Sequence, residues 1–230
     1  MEKIFKEAGI VLSPKMQEKF NIYKDLLIFY NKRFNLTSIT EERDIFVKHF
    51  LDSALSKDLF VDKSNVIEIG SGGGFPSIPL KIVRDDLNFT LLEATGKKCL
   101  FLKEVIKELK FEGVEVLNAR AEDAGKDQKY REKFDHVTAR AVARLNTLCE
   151  YCLPFLRVNG SFIALKGNAE EEINEAKNAI RILGGKLSSV KEYELPFEEG
   201  KRTLIKIDKI SKTPSLYPRG NGKERKNPIL

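Results

Sequence analysis

From Ser13-Pro14 onward, Met16, Phe20, Tyr23, Leu27, Tyr30 and Phe34 recur at alternating spacings of four and three, the interval at which a helix returns to the same face. A serine before a proline suits a helix start, because the hydroxyl caps a free backbone N–H and proline lacks one. The spacing predicts one long amphipathic helix, broken at Asn35-Leu36-Thr37-Ser38. Thr40 is expected to cap a second helix carrying Ile45, Phe46, His49 and Phe50. No run of strand character occurs before residue 65, so residues 1–60 read as a helical appendage.

Beyond that point the pattern changes. Short apolar runs at Val66 to Ile69, Phe89 to Leu92, Val114 to Leu117, Phe134 to Thr138 and Ser161 to Leu165 alternate with helical periodicity over 76–83, 97–109, 144–156 and 169–183. Strand–helix alternation implies a parallel sheet with helices on both faces, because the crossovers share one hand. Near the end the alternation stops: Lys186 to Leu195 and Thr203 to Ile207 have only the loop Pro196 to Arg202 between them. Strands joined that way form a hairpin, so one edge of the sheet should carry an antiparallel strand. The expected fold class is α/β, a mostly parallel seven-stranded sheet with one antiparallel edge strand over residues 61–210, preceded by the helical appendage and followed by a tail over 211–230. No internal repeat is visible.

Composition narrows the class. Of the 230 residues, 42% are hydrophobic and 32% charged, which fits a globular chain rather than a disordered one. The start has no apolar core of signal-peptide length, and the run Leu26 to Tyr30 is far too short to cross a bilayer. A cytoplasmic monomer, away from membranes, is expected. Cys99, Cys149 and Cys152 cannot close a disulfide framework, and Cys149-x-x-Cys152 lies in an apolar helical stretch where thiols act as small hydrophobes. With no second Cys or His pair, no metal site is expected. The net charge of +6 points toward a polyanion. Between Lys212 and Lys226 lie five basic residues and one acid, with Pro214, Pro218, Gly220 and Gly222 among them. Such a tail is expected to resist helix and sheet and to lie along phosphates.

The chemistry concentrates at Gly70-Ser71-Gly72-Gly73-Gly74-Phe75-Pro76, between the first strand and the next helix. In an open parallel sheet, ligands bind beyond the carboxyl ends of the strands near the switch in strand order. Glycines there let backbone approach a ligand closely, although a tight turn alone would also use them. A P-loop would need Gly-Lys-Ser/Thr at its end, and the dinucleotide fingerprint is G-x-G-x-x-G, whereas Gly70, Gly72 and Gly74 are spaced G-x-G-x-G. Glu93 ends the second strand 23 residues after Gly70, followed by Ala94 and Thr95. A carboxylate there can accept hydrogen bonds from both hydroxyls of a ribose, whether the nucleoside belongs to NAD or to S-adenosylmethionine; a merely solvated strand end is the plainer alternative.

The string GSGGGFPSIPL, Gly70 to Leu80, resembles the S-adenosylmethionine loop of the bacterial small-subunit rRNA N7-guanine methyltransferases, the glucose-inhibited division protein B family. The resemblance spans nearly the whole chain through Arg33 to Thr37, His49 to Ser53, Ala119 to Glu122, Thr138 to Ala143, Leu165-Lys166-Gly167 and Tyr217-Pro218-Arg219. It implies a Rossmann-like class I methyltransferase fold, S-adenosyl-L-methionine as cofactor, and 16S rRNA or a precursor small subunit as partner. It also implies cofactor contacts from Gly70, Phe75, Ala121, Glu122 and Arg140. Two positions depart from the family pattern: Ser77 stands where glycine is usual, and the tail Gly220 to Arg225 differs from the commoner threonine-proline version. Read physically, Ala121 and Glu122 lie where an adenine would reach, and Arg140 ends the fourth strand facing the pocket, with a surface salt bridge as the alternative. Lys166 follows the fifth strand in the same layer and is a candidate for touching phosphate or base.

Methyl transfer from a sulfonium to guanine N7 is an in-line displacement onto a lone pair that carries no proton. No general base is needed, and alignment in a dry pocket should carry the catalysis. Only His49 and His136 exist, neither in a nucleophile–base arrangement; His49 reads as a hydrogen-bonded helix residue and His136 as strand packing. Arg33, Asn35 and Lys48 from the appendage are candidates to help hold the target base, which must be flipped out or already irregular. The competing readings are an NAD-dependent oxidoreductase, a non-catalytic RNA-binding protein, and a small-molecule methyltransferase, the last disfavoured by the basic tail.

Overall fold

The protein is described from a computed structural model, which covers residues 1–198 and 200–230. A short helix α1 (Glu2–Glu7) precedes the long α2 (Pro14–Phe34), capped by the Ser13 hydroxyl and closed by Asn35 in the left-handed conformation. The helix expected from Thr40 takes a different form. It starts after Glu41 as α3 (Glu42–Asp44), widens into a π-helical turn over Ile45–Leu51, and ends as α4 (Asp52–Ala54). Such widened turns mark places where tertiary contacts outbid the regular ladder, and here His49 and Asp52 both reach Arg140.

The sheet then follows: β1 (Asn65–Ile69), α5 (Ser77–Val83), β2 (Asn88–Glu93), α6 (Gly96–Glu108), β3 (Val114–Asn118), α7 (Ala121–Ala124), β4 (Phe134–Arg140), α8 (Leu145–Cys152), β5 (Leu156–Lys166), α9 (Glu170–Ile182), β6 (Gly185–Glu194), β7 (Lys201–Lys209) and α10 (Lys223–Lys226). Seven strands lie in the order β3-β2-β1-β4-β5-β7-β6. The first five pair in parallel, and β7 runs antiparallel to β5 and β6, at the expected edge with β6 outside it. Within the expected loop Pro196 to Arg202, Glu199 lies outside the described residues. Strand β5 begins earlier than the sequence suggests. Leu156 pairs with Phe134, and the ladder resumes at Ser161 opposite His136, with a register shift over 157–160.

Two apolar layers sandwich the sheet. On one face Val66, Phe89, Leu91 and Ile163 pack against Phe20, Tyr23 and Leu27 of α2, Phe50 of the π turn, and Phe101 and Leu102 of α6. The helical appendage therefore shares one core with the sheet. On the other face Ile67, Val137, Phe162 and Ile207 meet α8 and α9. Cys149 and Cys152 are buried there as free thiols, and burial pushes both far up from the thiolate that a redox pair needs. His136 is more than packing: its Nε2 accepts from the Val61 amide at 3.0 Å, so Nδ1 carries the proton and donates to Ser161 Oγ at 2.9 Å.

The tail is the main correction to the sequence reading. Residues 211–230 are docked, and α10 forms within them. The Arg131 guanidinium donates to the carbonyls of Thr213, Pro214 and Tyr217, and Arg219 makes a two-pronged bond to the fully buried Glu150. Proline and glycine content pointed to an irregular strand along phosphates; the buried ion pair fixes the path instead. No described helix is long and apolar enough to cross a membrane.

Candidate active site

The switch in strand order falls between β1 and β4, so the loop after β1 opens onto a crevice at the carboxyl ends of the strands. The amides of Gly70 and Ser71 donate to the Leu92 carbonyl at 2.8 and 3.0 Å, fixing the turn. Gly74 has φ +90°, and an added Cβ would lie 2.6 Å from Ile78 Cγ1, so only glycine fits. From below, the Tyr23 hydroxyl of α2 donates to the Gly73 carbonyl. The appendage thus holds the loop that the first strand presents.

Glu93 sits at the end of β2, nearly buried, with its carboxylate accepting from the Gly72 amide at 2.9 Å and the Thr95 amide at 2.7 Å. It lines a cavity of about 370 Å³ with Gly70, Ala94, Thr95, Ala121 and Glu122. Gly70 lines the cavity close to the Val142 wall, where an added Cβ would lie 2.9 Å from Val142 Cγ2. The apolar walls are Ile69, Leu92, Ala119 and Val142. A carboxylate with spare lone pairs, a glycine beside it and small apolar walls fit an adenosine-bearing cofactor.

A second cavity of about 240 Å³ lies beside the first, lined by Ile39, Lys48, His49, Asp52, Arg140, Ala141, Lys166 and Arg202 among others. The segment after β4 divides them: Ala141 faces the second cavity, Val142 the first. Asp52 is the hub. Its carboxylate accepts from Tyr193 at 2.6 Å and Arg140 at 3.1 Å, with Arg202 Nε 3.7 Å away. The Arg140 guanidinium also lies 4.9 Å from the Phe75 ring centre and donates to His49 Nδ1. His49 must then carry its proton on Nε2, which donates to Thr37 Oγ1 at 2.7 Å. Burial first, then the Arg140 charge, pushes His49 down to about 3, so the ring is neutral. Beneath the glycine loop, Glu68 is fully buried, with neither carboxyl oxygen hydrogen-bonded among the described residues. Burial pushes it up to about 8, and the nearby Ser77, Arg140 and Ser71 counter that only in part, as loose polar neighbours rather than formed bonds.

Of the residues singled out from sequence, Gly70, Glu93, Ala94, Thr95, Ala121 and Glu122 meet at the first cavity. Gly72 serves it through its bond to Glu93, whereas Gly74 and Phe75 pack below. Arg140 lines the second cavity, where Asp52 and His49 hold it. Lys166 and Lys48 also line the second cavity: Lys166 Nζ donates to the Ala143 carbonyl and to Glu172, and Lys48 to Asp44. Arg33 and Asn35 are exposed at the end of α2, with Arg33 over the Phe29 ring, and line neither cavity. It is Asn31 that organises this turn, accepting from the amides of Leu36 and Thr37. Sequence reasoning gave no role to Asp52, although it lies in the stretch His49 to Ser53 that carries the resemblance, nor to Arg202, nor to Tyr151, Gly222 and Arg225 at the first cavity. Among the described residues no cluster of His, Cys, Asp or Glu could hold a metal ion.

This fold and crevice define a Rossmann-like α/β protein of the methyltransferase class. Its likeness to solved structures rests on shape: M. jannaschii TYW2, solved in complex with AdoMet, matches with a TM-score of 0.57 at 17% identity, over 75% of this chain and 80% of that one. A SAM-dependent methyltransferase from Aquifex aeolicus matches at 0.55 and 14% identity, over 75% of this chain and 96% of that one. The sequence goes further. Residues 16–204 match the family model of rRNA small subunit methyltransferase G, GidB. Relatives named ribosomal RNA small subunit methyltransferase G are 46% identical in Acetivibrio thermocellus, over 96% of this chain and 92% of the relative, and 48% identical in Pelotomaculum thermopropionicum, over 97% and 95%. The chain belongs to the GidB family, which sets aside the NAD-dependent oxidoreductase reading of the glycine loop.

Proposed function

We propose that this protein is an S-adenosyl-L-methionine-dependent methyltransferase that methylates N7 of a guanine in small-subunit (16S) ribosomal RNA. The observation that carries this reading is the pair of adjoining cavities, one lined by the Glu93 carboxylate and Gly70, the other by Arg140, Lys48, Lys166 and Arg202. Its partner is the rRNA of the small subunit or its precursor, met as a monomer in the cytoplasm. In this reading residues 1–60 wall the base side, 61–210 bind the cofactor, and 211–230 form the basic tail. Arg33 and Asn35, exposed beside the base pocket, meet RNA outside it.

The cofactor, once bound, supplies a methyl group activated on a sulfonium. The chain's own residues have little proton chemistry to do, since N7 offers a lone pair without a proton. Their work is alignment and exclusion of water, worth roughly 7–11 kcal/mol in favourable systems. Glu93 grips the sugar, and Gly70 with Gly72 lets the backbone come close. On the base side each cation faces a carboxylate: Arg140 and Arg202 share Asp52, Lys166 has Glu172, and Lys48 has Asp44. That balance, with a neutral His49, suits a base that gains positive charge as it is methylated. Incubation with small subunits from cells lacking this protein, followed by mass analysis of the nucleosides, tests the assignment. New 7-methylguanosine in 16S rRNA is expected; methylation of another atom, or none, would overturn it.

A further inference from the structure

The docked tail forms part of the first cavity. Gly222 and Arg225 line it with Glu93 and with Tyr151 of α8. The placement is built. Arg219 donates through its amide, Nε and Nη2 to the fully buried Glu150 carboxylate, at 2.8, 2.9 and 2.7 Å. Five residues on, Glu224 is equally buried and accepts from the Gly220 amide, while its own carbonyl accepts from Thr147 Oγ1 at 3.0 Å. These bonds pin both ends of the turn that carries Gly222 and Arg225. The guanidinium itself reaches over the dividing segment, donating to the Val142 carbonyl at 3.3 Å. It is exposed, beside the Tyr151 hydroxyl, in the lining of the cavity that also includes Ala121 and Glu122.

We propose that Arg225 is a cofactor-binding residue: the tail, clamped by Glu150–Arg219, presents its guanidinium as the outer wall of the site for the purine end of the nucleoside. A purine offers ring nitrogens that accept hydrogen bonds and a π face, and a flat guanidinium with five donors matches both, where an ammonium matches neither as well. This rests on the reading of the first cavity as a nucleoside site. It also gives the basic tail a role besides phosphate contact, since the same turn would face cofactor on one side and solvent on the other.

Calorimetric titration of the full chain with S-adenosylhomocysteine tests it. Arg225→Ala should weaken binding about tenfold, the scale of one hydrogen bond from a charged donor. Arg225→Lys should recover only part of that loss. Lys226→Ala, one residue on and outside the cavity, should leave the affinity unchanged. Because Arg225 is exposed, the variants should keep the wild-type melting temperature. Affinity of Arg225→Ala within threefold of wild type, full recovery by lysine, or an equal loss in Lys226→Ala each overturns the proposal. A wild-type chain that binds no S-adenosylhomocysteine overturns instead the nucleoside reading beneath it.

Discussion

The two cavities on either side of residues 141–143 are assembled in opposite ways. The first draws most of its functional groups from three short contiguous stretches, each at the carboxyl end of a parallel strand: Gly70 after β1, Glu93 to Thr95 after β2, Ala119 to Glu122 after β3. The second brings together Lys48 and His49 from the π-helical turn, Asp52 from the start of α4, Arg140 from β4, Lys166 from β5 and Arg202 from β7. A nucleoside binds alike in every member of a fold class, so strand-end chemistry suffices. The charges of the second are set at distances that only tertiary packing can fix, and Asp52 does that by holding Tyr193, Arg140 and Arg202 at once.

The sharpest way to break this contrast is at Glu93. Glu93→Ala removes the sugar's acceptor and leaves the Gly72 and Thr95 amides without theirs, so S-adenosylhomocysteine affinity should fall about 100-fold by calorimetry, two charged hydrogen bonds' worth. A loss below fivefold would detach the carboxylate from the cofactor. On the other side, Arg140→Ala should lower single-turnover methylation of small subunits at least about tenfold, the loss of one well-placed charged contact. A rate equal to wild type would mean that the second cavity does not receive the base.

Asp52→Asn should destabilise the fold by about 2 kcal/mol in urea titration, since a buried carboxylate with a close guanidinium loses its charge but keeps its shape. No change in the midpoint would show that packing, not charge, joins the hairpin to the appendage. Glu68 gives a smaller, pH-dependent effect. Its folded pKa of about 8 lies above the ordinary carboxylate value of 4.5, so its contribution is complete below 4.5 and is lost as pH rises through 8. Melting curves from pH 6 to 9 should fall less in Glu68→Gln than in wild type; parallel curves would mean that Glu68 is already charged at neutral pH. Smaller still, Arg33→Ala and Asn35→Ala should reduce methylation less than about tenfold, as contacts at the exposed rim do. A larger loss would return them to the base pocket.

These contrasts also explain what the sequence could and could not reveal. The glycine spacing, Glu93 at a strand end and the closing hairpin are local patterns, and the structure places them where periodicity and the parallel-sheet rules expect. The resemblance implies cofactor contacts from Phe75 and Arg140, but nothing local shows their tertiary partners, Tyr23 and His49 for Phe75 and Asp52 for Arg140. Lys166 lies in the expected layer, yet nothing local shows that Glu172 holds it. The tail was least legible. Its composition describes an unstructured chain, and only the partner Glu150, 69 residues away, gives it a path. Asp52 lies in a stretch that carries the resemblance, yet nothing local shows that its partners come from β4, β6 and β7.

Whether the two cavities divide the work is read most directly from the cofactor affinity of Arg140→Ala. Titrated with S-adenosylhomocysteine, this variant should bind within threefold of wild type, because the guanidinium belongs to the base side of the dividing segment. A loss of tenfold or more would contradict that division and put Arg140 back against the cofactor.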